Sequence, residues 1–242
     1  MNSEIIFNIL ICLAITISSF TLAWVLGKNK LKQNNKPSLW SLISLWSLIG
    51  TTYLAKSIGI FAEYLQHQHL NVAMLNLGSV SFAFVSVPLV FFITYVIVGD
   101  IKISSIISSV FAIFGILYLN YFHSIGVENL ASTDHSLITS ISGDITIYMY
   151  IITLFLIPIS MILGLLLLLL LQKLPRRTHY KKTLPLVGIS LVFDFMVLDI
   201  LTFTETMQLS ARIFIVVGIV LTFLAYFPPD THQKKLKVND YS

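Results

Sequence analysis

Residues 145–171 read ITIYMYIITLFLIPISMILGLLLLLLL, a run of 27 residues without a charged side chain. An α-helix rises about 1.5 Å per residue, so about 20 apolar residues cross the hydrocarbon core of a bilayer. The run is continuous and rich in leucine and isoleucine, whereas a strand of a membrane barrel alternates apolar with polar residues. It therefore predicts a transmembrane helix.

Six further runs of this kind lie on either side of it. The predicted spans are 5–26, 39–62, 72–98, 104–122, 145–171, 184–203 and 211–227. Only 11% of the residues are charged, against about a quarter in a typical soluble domain. The sequence therefore predicts an all-α integral membrane protein. One domain of seven transmembrane helices covers residues 1–229, and a short basic tail covers 230–242.

The distribution of basic residues predicts the orientation of the chain. Thirteen of the 15 lysines and arginines lie in the first, third and fifth connections and in the tail, and the other three connections contain none. The positive-inside rule then predicts that the N-terminus lies outside the cell and the C-terminus in the cytoplasm. The predicted location is the cell membrane, which the chain crosses several times. Because these charges flank apolar spans, the net charge of +4 does not indicate nucleic acid. The basic segments are instead expected to face anionic lipid of the bilayer or a cytoplasmic or membrane protein partner.

Three charged residues lie deep in the predicted spans: Lys56, Asp194 and Asp199. A charge at mid-bilayer costs about 2.5–3.5 kcal/mol on insertion scales, so each should pair, become neutral or face water. Lys56 lies 17 residues from the inner end of its span and Asp199 lies 15, so their depths differ by about 3 Å. We expect these two to pair in the outer third of the membrane. Asp194 has no basic residue at its depth, and we expect it to be protonated or hydrogen-bonded to hydroxyl groups of neighbouring helices.

Further polar residues gather at the outer ends of the spans. Glu63 follows Lys56 by seven residues, so both lie on one face of a helix. Arg212 opens the seventh span at the outer boundary. A polar pocket that opens outward would use these residues for ligand binding or as an ion path: Lys56, Glu63, Asp194, Asp199 and Arg212. The alternative is a helix-locking ion pair with ordinary boundary charges.

The six histidines lie in the connections, in the tail or at helix ends. A b-type haem between helices needs histidine ligands inside them, so neither haem nor any other cofactor is predicted. Four histidines on the outer side are weak candidates for zinc or copper ligands: His67, His69, His123 and His135. Solvated histidines without a metal are the favoured interpretation.

Enzyme signatures are missing from the spans. Asp194 and Asp199 lie about 140° apart around one helix and so do not converge as an aspartyl pair. The predicted topology is similar to that of rhodopsins and G-protein-coupled receptors, but the seventh span lacks the retinal-binding lysine of microbial rhodopsins. We expect a non-enzymatic membrane protein, such as a sensor, that binds a ligand or partner in its outer half. A small transporter or ion or proton channel and a structural subunit of a larger complex are the alternatives.

The orientation can be tested by cysteine labelling in intact cells. Asn34→Cys and Arg177→Cys should resist impermeant thiol reagents, whereas Ser132→Cys should react, because only the third position lies in a connection without basic residues. The native Cys12 lies inside the first span and should stay unlabelled. Labelling at Asn34→Cys but not at Ser132→Cys would reverse the predicted topology.

Overall fold

The computed structural model describes residues 3–30, 36–125, 145–172, 176–201 and 205–227. These residues form eight α-helices: α1 (Ser3–Lys30), α2 (Lys36–Tyr64), α3 (Gln68–Phe84), α4 (Ser86–Val98), α5 (Ile101–Ile125), α6 (Ile145–Leu171), α7 (Arg176–Leu201) and α8 (Glu205–Tyr226). With α3 and α4 taken as one segment, seven helices of the described part are long and apolar enough to cross a membrane. For the described residues, the all-α fold and the seven helices of membrane-spanning length and composition are therefore confirmed.

The predicted third span, 72–98, is divided in the structure. Helix α3 ends at Phe84 and α4 begins at Ser86, with Val85 as a turn between them. The cause is Pro88, whose ring excludes a regular helical bond to the carbonyl of Phe84, four residues earlier. At this turn the amide of Val85 donates to the carbonyl of Phe82, three residues earlier, at 3.2 Å. This shorter bond tightens one turn, and the chain keeps its direction. The two halves together still form one crossing segment.

The helices pack mainly against their neighbours in sequence, and α8 returns to contact α1, which closes the bundle. Helix α2 contacts α1, α3 and α4 and so lies near the centre. Its side chains Trp46 and Tyr53 are among the largest fully buried groups, together with Phe155 of α6 and Phe193 of α7. Many large apolar side chains point outward, as expected of helices that face lipid: examples are Ile106, Ile113, Leu167 and Leu171.

Helices α7 and α8 approach most closely where two glycines face each other. A Cβ atom on Gly188 would lie 2.7 Å from the carbonyl oxygen of Gly218 and 2.3 Å from Oγ1 of Thr222. A Cβ atom on Gly218 would lie 2.8 Å from the carbonyl oxygen of Gly188. Small residues allow such backbone contact between membrane helices. This contact sets the spacing of the hairpin that carries Asp199 and Arg212.

Alanine at either facing glycine should destabilise the bundle. Alanine favours a helix over glycine by about 1 kcal/mol, but overpacking a tight contact costs about 1–3 kcal/mol. Gly188→Ala and Gly218→Ala should therefore lower the midpoint of thermal unfolding in mild detergent. Gly164→Ala is the matched control, because a Cβ atom there meets nothing within 4 Å. Equal midpoints for Gly188→Ala and Gly164→Ala would show that the two helices are not in backbone contact.

Candidate functional site

Four helices bring polar side chains together at the end of the bundle where α1 begins, which we call the N-terminal end. Asn8 lies near the start of α1 and Lys56 near the end of α2. Asp199 lies two residues before the end of α7, and Arg212 lies in the second turn of α8. Because successive helices run in opposite directions, these starts and ends meet at one level.

Asp199 is the centre of this group and is fully buried. Its Oδ2 atom accepts a hydrogen bond and forms an ion pair with Nζ of Lys56. The same oxygen accepts a bond from the hydroxyl of Tyr53 at 3.1 Å. Its Oδ1 atom accepts a bond from Nε of Arg212 at 2.9 Å. One carboxylate is therefore shared by two basic groups and a phenol.

Arg212 extends the network to α1. Its side chain is fully buried, and Nη1 donates to the side-chain oxygen of Asn8 at 2.8 Å. Nη2 is buried as well and has no hydrogen-bond partner within the described residues. Removing one partner of a buried ion pair typically costs about 3–5 kcal/mol, because the other charge stays behind unpaired. The network therefore fixes α1, α2, α7 and α8 relative to one another.

The predicted contact between Lys56 and Asp199 is confirmed. That Arg212 lies at the membrane boundary stays a prediction. Helix α8 nevertheless begins at Glu205, six residues before the predicted start of the span. Arg212 is thereby carried more than one turn into the bundle and reaches Asp199.

Asp194 makes its described hydrogen bond outside this network. Asp194 is half-buried, and Oδ2 accepts a long bond of 3.4 Å from the hydroxyl of Ser190. We expected a hydroxyl group of a neighbouring helix, but Ser190 precedes Asp194 by one turn of α7 itself. Glu63 is half-buried and lies seven residues beyond Lys56 on α2.

A cavity of about 80 Å³ adjoins the network at the N-terminal end. Lys56, Tyr53 and Asp199 form its polar side, and the hydroxyl groups of Thr52 and Ser79 lie nearby. The apolar walls come from α3, α5 and α7: Met74, Leu75, Phe82, Tyr118, Phe122, Met196 and Ile200. A site of this size holds several water molecules or a very small organic molecule, since one water needs about 10–15 Å³ of such volume. Asp194 and Glu63 are not among the lining residues.

The histidine candidates are not gathered into a metal site in the described part of the chain. There, no three histidine, cysteine, aspartate or glutamate side chains lie close enough to hold an ion. His67 and His69 are exposed at the start of α3, and Nδ1 of His123 lies 2.7 Å from the carbonyl oxygen of Leu119. His135 lies outside the described residues, so a site that includes it stays a prediction.

Asn8 and Tyr53 belong to the network but were missed in the sequence. Tyr53 precedes Lys56 by three residues and so shares its helix face, which is a usable signal. Asn8 carries no comparable signal, because its partner lies 204 positions away on the last helix.

No family model, curated protein or solved structure matches this chain. The geometry of the buried network and its cavity therefore has to carry the functional argument.

The two missed residues should differ in their contribution to stability. Asn8→Leu removes the acceptor of a buried guanidinium, and an unsatisfied buried group of this kind costs about 1–3 kcal/mol. Tyr53→Phe removes one of three bonds to Asp199 and should cost only about 0.5–1.5 kcal/mol. Unfolding in mild detergent measures both losses, and Asn120→Leu, at an exposed asparagine of α5, is the control. A smaller loss for Asn8→Leu than for Tyr53→Phe would contradict the observed role of Asn8.

Proposed function

We propose that this protein is a non-enzymatic ligand-binding module of a cell membrane, a sensor or similar receptor, whose site is the cavity beside Lys56 and Asp199. One observation carries the proposal: a buried charged network, which is costly in a bilayer, borders free volume instead of being sealed by packed side chains. Intramembrane ionisable residues usually mark functional sites. An apolar cavity with a few convergent polar groups is the usual form of a small-molecule site.

The position of the cavity favours binding over transport. All its lining residues lie in the half of the bundle at the N-terminal end. A second cavity, of about 420 Å³, lies at the opposite end between α4, α6, α7 and α8. The polar residues midway along α7, Ser190 and Asp194, line neither of them. A transporter or channel, which needs a path through the midplane, is accordingly the second candidate, and a structural subunit is the third.

The predicted orientation places the proposed ligand site and the basic connections on opposite sides of the membrane. With the N-terminus outside, the cavity would lie in the outer half of the membrane and the basic connections in the cytoplasm. Lys182 lies at the rim of the second cavity, at this inner end. A ligand signal would then pass to a cytoplasmic or membrane protein, or to anionic lipid, at the basic face.

Filling the cavity should abolish binding without unfolding the protein. Gly78 lines the cavity, and a Cβ atom there meets only Ala55, at an ordinary 3.5 Å. Gly78→Leu should therefore fold and occupy the space that a ligand needs. Gly164→Leu places the same side chain in open space on α6 and is the matched control. Thermal unfolding in detergent would be followed with four-carbon probes: butyrate, butanamide, butanol and butylamine.

We expect at least one probe to raise the unfolding midpoint saturably in the native protein and in Gly164→Leu, but not in Gly78→Leu. A ligand that binds only the folded state must stabilise it in this way. The proposal fails if no probe gives a saturable shift, or if the shift survives in Gly78→Leu. Flux of the bound probe across proteoliposomes would move the assignment to the transporter.

A further inference from the structure

The buried network contains more basic than acidic groups. Within the described residues, the ion pairs of Lys56 and Arg212 are both made with Asp199. Arginine stays protonated in proteins, so the charges of Arg212 and Asp199 cancel. A protonated Lys56 then adds one positive charge that no second carboxylate of the described residues pairs with. The carboxylates of Asp194 and Glu63 do not reach the cavity, as its lining shows.

Lys56 also has more hydrogen-bond donors than its described contact with Asp199 uses. An ammonium group has three donors. Lys56 donates to Oδ2 of Asp199, and this oxygen also accepts from Tyr53. Thr52 and Ser79 donate their own hydrogens to the carbonyl groups of Leu48 and Asn76. Lys56 is therefore the main donor that faces the cavity.

We propose that the cavity binds a small organic anion, with its anionic group on Lys56 and a short apolar body between α3, α5 and α7. This inference rests on the proposed function and adds the charge of the ligand. An anion supplies a negative charge for Lys56 and accepts from its donors that Asp199 does not use. Phe82, Tyr118 and Phe122 then cover the apolar body, because they belong to the apolar lining of the cavity. The small volume limits that body to a few carbon atoms.

The experiment compares three probes of one size and different charge on the native protein. Butyrate is an anion, butanamide is neutral and butylamine is a cation, and dissociation constants come from thermal-shift titrations at constant sodium chloride. Butyrate should bind at least about tenfold more tightly than butanamide, because a hydrogen bond between two charged groups is about twice as strong as a neutral one. Butylamine should bind most weakly.

A variant assigns this preference to Lys56. Lys56→Met keeps an unbranched side chain that is one atom shorter and leaves Asp199 and Arg212 as a balanced pair, so it should fold. It should bind butyrate and butanamide about equally. The comparison on the native protein stays decisive if this variant does not fold.

The outcomes separate this inference from the proposed function. If butanamide or butylamine binds as tightly as butyrate, and Gly78→Leu still abolishes binding, the module binds ligands but the anion is wrong. If sodium chloride alone reproduces the full butyrate shift, an inorganic anion occupies the site and the organic anion is wrong. If butanol binds and these three probes do not, the proposed function stands and the anion is wrong. If none of the four probes binds, the proposed function fails together with this inference.

Discussion

The carboxylate of Asp199 holds the bundle together at its N-terminal end. It joins Lys56 and Tyr53 of α2 to Arg212 of α8, and Arg212 in turn holds Asn8 of α1. In a bilayer, the hydrophobic effect does not drive helices together, because lipid tails are as apolar as leucine. Polar contacts of this kind and close backbone packing then decide which helices meet. The first and last helices of the chain are joined in this way.

The same interaction explains the tight hairpin of α7 and α8. Asp199 and Arg212 are 13 residues apart, and they meet because α8 returns directly along α7. The facing glycines, Gly188 and Gly218, bring the two backbones into contact further along the hairpin. The glycine contact and the ion pair therefore hold the same two helices together at different points along the hairpin. A substitution that pushes the helices apart at the glycines would also shift Asp199 relative to Arg212.

A structural ion pair needs one base and one acid, and Arg212 already supplies the base. On the proposal made above, Lys56 adds a charge that the fold does not require, at a position where an unbalanced charge is costly. Proteins keep such groups at functional sites, where stability is given up for activity. The free volume beside Lys56 agrees with this interpretation, because a purely structural network would be covered by packed side chains. The proposed anion would neutralise that excess charge.

The sequence predicts much of this fold and part of the site. Apolar runs of membrane-spanning length give the helices, and matched depth along α2 and α7 gives the contact between Lys56 and Asp199. Counting residues from the end of the apolar run does not predict the contact of Arg212 with Asp199. The first turn of α8 is polar, so the helix begins before the apolar run does. Neither does this counting reveal Asn8, whose neighbour depends on how α1 and α8 are rotated about their axes. The cavity depends on side chains of four helices and has no pattern in the sequence.

The central claim is that Asp199 is structurally required, whereas Lys56 is the excess charge. Unfolding of Asp199→Leu and Lys56→Met in mild detergent without ligand tests it most directly. Asp199→Leu leaves two buried cations, so it should lose about 3–5 kcal/mol, the typical cost of an uncompensated buried charge. Lys56→Met leaves a balanced pair and should be as stable as the native protein or more stable. A loss in Lys56→Met as large as that in Asp199→Leu would contradict the account, because Lys56 would then be a structural partner.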